Sequence, residues 1–294
     1  MKKLSIITIC YNIKDEIERT CESIVNQTNQ NFEWIVVDGG STDGTIEVLN
    51  KYKDRMDAFI SEPDSGIYNA MNKGIKKAHG EFLNFMNGGD TFADSNVVAD
   101  FLNYDTDGVD VLYGNMNIVE DNGMRRLQTY PQMVNKTFFV KDCIGHQAAF
   151  IRLNLFEKYG LYSEKYRIVS DWERWIVFIE NGSFFKYWDY IVANFYRGGV
   201  GSKMSKKHNK ERDDVIKTHF TKEEVSLAEK MAYNYRIIRL FNVLPLLCIK
   251  TKKNGNQWAI SLFNILPLYK ILSKGGRSKH YLFGILPWLK VEKK

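Results

Sequence analysis

The chain of 294 residues is poor in cysteine. Its four thiols, Cys10, Cys21, Cys143 and Cys248, form no CxxC pair and show no zinc spacing. That excludes a disulfide-stapled scaffold and a structural zinc module, and leaves free thiols packed in a reducing compartment as the expectation. No run of about 18 apolar residues occurs, so no transmembrane helix is expected. Met1-Lys2-Lys3 leads straight into a short apolar strand, so no secretory leader is expected either. Two phosphate-binding fingerprints are also missing. The first strand ends in Cys10-Tyr11-Asn12 where a dinucleotide site would carry GxGxxG. Gly198-Gly199-Val200-Gly201-Ser202-Lys203 comes near a P-loop but has its order wrong.

What is present is an ordinary globular composition, 44% hydrophobic and 26% charged, with an uneven charge distribution. Residues 203–294 hold 20 Lys and Arg against 7 Asp and Glu, a net of +13. The whole chain is +6, so the first 202 residues carry −7. An acidic front and a basic, aromatic-rich back imply two parts with different partners. In the front part apolar strands alternate with helical patterns: Leu4–Cys10, a helix from Asp15 with Glu18 at capping-box spacing, Phe32–Val37, a helix over about 46–52, and Ala58–Ile60. This alternation predicts a parallel sheet wrapped by helices.

The stretch from Glu62 to Asp90 carries the most information. Ser65-Gly66 opens a helix with apolar positions at Ile67, Ala70, Met71, Gly74, Ile75 and Ala78, and Gly80 is expected to end it in a left-handed turn. Phe82–Met86 reads as a buried strand running into Asn87-Gly88-Gly89-Asp90. Open α/β sheets place ligand chemistry at such strand ends. The tips Thr8/Tyr11/Asn12, Asp38, Asp64 and Asp90 would share one rim, and several carboxylates there call for a cation or a basic ligand. Asp43 is expected to cap the next helix, whereas Asp38 at its strand terminus can accept from a ribose hydroxyl or a base N–H.

TxxYN, VVDGGSTDGT, EPDSGIYNAMNKGI and FxNxGD in this order resemble the family 2 glycosyltransferases of the GT-A fold, closest to the bacterial polysaccharide and O-antigen branch. The likeness covers about residues 4–200. It implies a Rossmann-like mixed sheet flanked by helices, with a nucleotide half of about 1–90, an acceptor half of about 91–202, and an extension over 203–294. By the same resemblance Thr8, Tyr11, Asn12 and Asp38 hold the nucleotide, with Asp64 and Lys73 flanking it. Asp90 is the last acid of the DxD-type motif and would place Mn²⁺ or Mg²⁺ on the donor diphosphate. Asn87 and Gly88 stand where many members carry further carboxylates, which leaves the metal one protein carboxylate.

Beyond Asp90 the pattern turns to strands, with Asp121-Asn122-Gly123 as a hairpin signal. His146 in Gly145-His146-Gln147-Ala148 is either a hydrogen-bonded core histidine or an acceptor-site residue. Ser170-Asp171-Trp172-Glu173 begins a helix, so Asp171 by default is an N-cap. The stretch also matches the family's acidic base motif, with Ser170 in place of the first acid. That makes Asp171 the general base of an inverting transfer, Glu173 the alternate, and Trp172 a lining of the acceptor site. Arg197-Gly198-Gly199-Val200-Gly201-Ser202 resembles the segment that closes over the donor, where Arg197 would meet the diphosphate; a plain linker is the alternative.

The basic tail repeats itself. Leu240–Leu247, Leu262–Tyr269 and Leu282–Leu289 share an LFxxLP pattern. From Val225 onward the net charge is +11, which suits an anionic membrane surface better than an oligomer contact, and the apolar blocks argue against nucleic acid. The sequence thus points to a glycosyltransferase on the inner face of the cell membrane. It would move a sugar from a nucleotide-sugar, a UDP-sugar in the first instance, to a cell-surface glycan that a polyprenyl carrier could hold. Two other readings stand beside it: a nucleotidyltransferase of similar topology, which lacks basic residues in its first loop, and a membrane-attached scaffold that binds nucleotide-sugar with a decayed site.

Overall fold

The computed structural model describes residues 2–198, 206–234, 236–238, 247–251, 257–262, 266–274, 277–282 and 290–292. By its contacts the chain forms two compact units, Met1–His219 and Phe220–Lys294.

The first unit is built on β1 (Leu4–Cys10), every residue of which is buried. Strand β2 (Glu33–Asp38) and β4 (Phe82–Phe85) pair with it on either side in parallel, and β3 (Ala58–Ser61) continues the parallel run beyond β2. Both faces of such strands must be covered, which is why their sequences are apolar throughout rather than alternating. The crossovers are α1 (Lys14–Val25), α2 (Thr45–Asn50) and α3 (Ile67–Lys77). Past β4 the sheet becomes mixed. β5 is Thr91–Phe92, α4 is Val97–Asn103, β6 is Val111–Val119 and β7 is Arg125–Gln128. β8 (Ala149–Arg152), α5 (Leu153–Tyr159), α6 (Ser170–Glu180) and β9 (Phe185–Tyr196) follow. The strand order is β3-β2-β1-β4-β8-β6-β9-β5, with β7 on β6. The Asp121-Asn122-Gly123 turn joins β6 to β7 as an antiparallel hairpin, as its residues predict.

Two local expectations are corrected. Asp15 and Glu18 form no capping box: α1 starts at Lys14, and Asp43 from the neighbouring loop accepts the Lys14 N–H at 3.0 Å. Glu18 instead pairs with Lys51. Gly80 is not a left-handed cap either, since α3 ends at Lys77 on an extended Ala78. Glycine is required at 80 because a Cβ there would stand 2.5 Å from the Ser5 nitrogen, where the chain re-enters the sheet beside β1. Gly74 has a similar reason: its missing Cβ lets α3 lie directly on Ile7.

The second unit holds α8 (Lys222–Asn234) and a six-stranded antiparallel meander, β10 (Arg236–Ile238), β11 (Leu247–Thr251), β12 (Gln257–Leu262), β13 (Leu266–Lys274), β14 (Arg277–Leu282) and β15 (Lys290–Glu292). Most of each LFxxLP block lies outside the described residues. Pro267 is within them, opposite Ser261 at a register shift between β12 and β13, the kind of irregularity where a strand tolerates proline. Among the described residues no helix is long and apolar enough to cross a membrane.

Helix α7 (Lys206–His219) belongs to the first unit and braces α6. Glu211 accepts the backbone N–H groups of Arg167 and Ile168, Asp214 pairs with Lys165, and the Arg212 guanidinium lies 4.3 Å from the Trp172 ring centroid. His219 at the end of α7 reaches Glu173 and Glu180 of α6. Hydrogen bonding to Glu173, then to Glu180, raises its pKa against the opposing effect of burial. A raised native pKa gives stability that is fully present below the unfolded value of about 6.5 and is lost as pH rises through the native one. The melting-temperature gap between wild type and His219→Gln is therefore expected to be widest below about pH 6.5 and to narrow on the alkaline side. A gap of constant size across pH 5–9, measured in thermal melts, would remove the charged latch.

Candidate active site

The loop after β2 is organised by Asp38, which is fully buried. Its Oδ2 accepts from the N–H groups of Gly40 and Ser41, both at 3.0 Å, and from the Ser61 hydroxyl at 2.8 Å. Its Oδ1 accepts from the Ser41 hydroxyl at 2.5 Å. The carboxylate thus shapes the glycine-rich loop from inside. Asn12, in the left-handed region at φ 49°, ties the end of β1 to that loop by accepting the Thr42 N–H. Tyr11 is 60% exposed, and its ring stands beside Gly39 together with the Asp64 carboxylate. Asp64 accepts the Gly66 N–H at 2.8 Å, and a Cβ at position 39 would run into it. Lys73 pairs with Glu62 at 2.8 Å and donates to the Pro63 carbonyl, so it fixes the segment before Asp64. Thr8 is not on the rim. It is buried within β1, where its hydroxyl accepts from the Trp34 indole.

The second cluster is joined by one short 3-10 turn, His146–Ala148. Gln147 donates to Asp90 Oδ2 at 2.7 Å, and the Tyr196 N–H reaches Asp90 Oδ1 at 3.0 Å. Burial pushes the Asp90 carboxyl up to about 6, against these hydrogen bonds. The neighbouring His146 faces two ways: Nδ1 lies 3.0 Å from Asp171 Oδ2, and Nε2 lies 2.9 Å from the Asn87 amide nitrogen. With Nδ1–H donating to Asp171, Nε2 is left to meet the Asn87 amide. Asn87 Oδ1 is left buried without a hydrogen-bond partner. The other oxygen of Asp171, Oδ1, accepts from the Tyr68 hydroxyl at 2.7 Å. Burial raises the Asp171 carboxyl, but hydrogen bonds from His146 and Tyr68 outweigh it and the net pKa lies below the ordinary carboxylate value.

Asp171 sits in the first turn of α6 and does not cap it: the N-cap position is Val169, without a side-chain cap. Glu173 faces elsewhere, held by Arg174 at 2.9 Å and by His219, so it is not placed beside Asp171 as an alternate base. Trp172 is buried, with its indole donating to the Phe139 carbonyl and its face under Arg212; it lines the core rather than an acceptor cleft. Arg197 pairs with Glu120 at 3.3 Å. Of the Arg197–Ser202 segment expected as a flap, residues 199–202 lie outside the described residues.

Sequence reasoning did not single out Tyr68, Asn87 as a hydrogen-bond donor, or Gln147. Tyr68 is buried on α3 but lies outside the apolar positions read from the sequence. The one available signal was a polar His-Gln pair between small residues, which marks a tight turn that carries side-chain hydrogen bonds. Among the described residues no group of three His, Cys, Asp or Glu stands together to hold an ion.

The sequence profile described as "Glycosyl transferase family 2" matches residues 5–160. A Mycobacterium bovis protein named "PGL/p-HBAD biosynthesis glycosyltransferase" is 29% identical over 210 residues, covering 69% of this chain and 80% of that one. The Escherichia coli "UDP-Glc:alpha-D-GlcNAc-diphosphoundecaprenol beta-1,3-glucosyltransferase WfaP" is 31% identical over 144 residues, 49% of this chain and 57% of that one. Among solved structures, Staphylococcus aureus TarS 1-349 in complex with UDP-GlcNAc aligns with TM-score 0.60 at 19% identity over 79% of this chain and 70% of that one. A mannosyltransferase from Pyrobaculum calidifontis in complex with GDP-Man and Mn²⁺ aligns with TM-score 0.52 at 16% identity over 68% of this chain and 58% of that one. These alignments establish a shared GT-A-like fold.

The loop geometry yields a direct test. Asp38→Asn keeps the size of the side chain but presents donors to donors, and is expected to lower unfolding free energy by roughly 2–3 kcal/mol in urea titrations. A loss under about 0.5 kcal/mol would mean that the carboxylate does not hold the loop.

Proposed function

The chain belongs to glycosyl transferase family 2, and on that premise we propose that it transfers a sugar from a UDP-sugar, with inversion at the anomeric carbon, to a hydroxyl of a lipid-linked cell-surface glycan. One observation carries the reading. The His146-Gln147 turn joins the loop that ends in Asp90 to the partly buried carboxylate of Asp171, so a donor-side group and a base are set by the same two residues. In the reaction the acceptor oxygen attacks the anomeric carbon and its proton passes to Asp171. The bond from that carbon to the donor phosphate oxygen breaks, and its electron pair leaves with the nucleoside diphosphate. Glu173 is committed to Arg174, which leaves Asp171 as the carboxylate for that proton.

Tyr11 offers an exposed ring beside Gly39 for the base, and the loop shaped by Asp38 and Asn12 presents backbone groups to the ribose. Asp64 and Lys73 border that platform. Arg197 would leave Glu120 for the diphosphate. The oxygen-only donors of the Asn87–Asp90 loop, Asp90 and the unpartnered Asn87 Oδ1, fit Mg²⁺ or Mn²⁺ held largely by the diphosphate itself. Such an ion, when bound, offsets charge on the leaving group. The name of the E. coli relative supports a UDP-sugar and a diphosphoundecaprenol acceptor. The +13 charge of residues 203–294 supports a tail that rests on an anionic inner membrane face.

The test begins with melting curves in the presence of UDP, GDP, dTDP and CMP, each with and without Mn²⁺. UDP with Mn²⁺ is expected to raise the melting temperature, and Asp90→Ala to abolish the metal-dependent part. Asp171→Asn is expected to lower turnover by about 10³-fold with UDP binding retained. Near-normal turnover in that variant would sink the base assignment. UDP binding by the native chain without transfer or donor hydrolysis would instead favour a nucleotide-sugar-binding scaffold.

A further inference from the structure

The hydroxyl of Tyr68 lies between two acceptors, Asp171 Oδ1 at 2.7 Å and the Ile168 carbonyl at 2.8 Å. A phenol has one proton to give. While Asp171 is ionised that proton goes to the carboxylate, because a charged acceptor wins, and Ile168 goes without. When Asp171 carries a proton, the arrangement balances. The phenol donates to Ile168 and its oxygen is free to accept from the carboxyl. The cluster therefore has a place for one proton more than its ionised state holds.

We propose that Tyr68 is a positioning residue for sugar transfer, whose hydroxyl turns from Asp171 to the Ile168 carbonyl as Asp171 takes the acceptor's proton. This rests on Asp171 being the base. A carboxylate held only by donors is a reluctant base, since each donor favours the ionised form. His146, fixed between Asn87 and Asp171, cannot relax that hold without giving up its Asn87 contact. Tyr68 can, because a second acceptor is already within reach. The turning hydroxyl withdraws one stabilising bond from the ionised carboxylate and offers an acceptor to the protonated one. The groups that face Asp171 are Tyr68 from α3, His146 from the 3-10 turn, Tyr162 from the segment before α6, and Cys143. Burial raises the pKa values of Tyr162 and Cys143, and of these groups Tyr68 is the one whose hydroxyl has both Asp171 and a second acceptor within hydrogen-bond distance. Burial also raises Tyr68 itself, which keeps it a phenol throughout. No atom is lost in the step: the acceptor's proton ends on Asp171, and the phenol keeps its own.

Two replacements separate this role from a static hydrogen bond. Tyr68→Phe removes the hydroxyl. Tyr68→4-aminophenylalanine, installed at that one position, places two N–H donors where one O–H stood, so Asp171 and Ile168 are served together and the capacity to accept is lost. The switch predicts that both lower kcat by about tenfold while the donor KM stays within about twofold, and that the amino variant melts no lower than wild type. Wild-type turnover in the amino variant would overturn the inference, because a fixed donor would then suffice. Asp171→Asn, assayed alongside, distinguishes the two levels of the argument. If it is inactive while the amino variant is normal, the base reading stands and the Tyr68 switch falls. If it is active, the base reading falls first. Retention of the UDP-induced melting shift shows that each variant is folded.

Discussion

A partly buried carboxylate that is ionised at rest needs hydrogen-bond donors around it. Asp171 meets that demand with two donors from distant parts of the chain, Tyr68 on α3 and His146 on the 3-10 turn. Each donor is itself held. α3 is locked to the segment before α6 by reciprocal bonds between Asn72 and Tyr162 and by Glu164, which accepts from Ser65, Asn69 and Asn72. The same segment is gripped from its other side by Glu211 of α7. A motif residue in the first third of the chain and a helix after residue 205 thus fix one carboxylate between them.

The rim of the sheet shows how several acidic tips can coexist. Like charges at a shared edge call for compensation, and a bound cation is one source. Here much of it comes from neutral donors instead. Asp38 is served by two backbone N–H groups and two serine hydroxyls, Asp64 by the Gly66 N–H, and Asp90 by Gln147 and the Tyr196 N–H. These tips are held by the geometry of their own loops, so the platform is organised before any ligand arrives.

The parallel half was legible because buried strands and crossover helices write their periods directly into the sequence. Strands β1 to β4, α3 and the β6–β7 turn all stand where their residues place them. Side-chain direction near the site was harder to read. Trp172 and Glu173 sit beside Asp171 in sequence, yet they point toward Phe139, Arg174 and His219. That choice is made by α7, whose docking no local pattern on α6 encodes. Thr8 is the converse case. It occupies a polar position in a motif, but it serves an indole in the core because Trp34 is buried and needs an acceptor. Gly80 carries the same lesson for backbone. A glycine after a helix suggests a left-handed cap, and only the third dimension shows that it is needed for close approach to Ser5.

Two positions that the resemblance marks as lacking an acid, Asn87 and Ser170, have local surroundings that suit the residues present. Asn87 gives its amide nitrogen to His146 Nε2, which leaves Nδ1 to donate to Asp171. A carboxylate at 87 could not donate there. It would demand a proton on Nε2, convert the imidazole to a cation, and compete with Asp171 for it. Ser170 is fully buried, and its hydroxyl finds no partner. An acid in that position would be a second buried charge without a donor, at a cost of several kcal/mol. Asparagine at 87 thus gives His146 a hydrogen-bond partner at Nε2, and serine at 170 adds no second carboxylate beside Asp171.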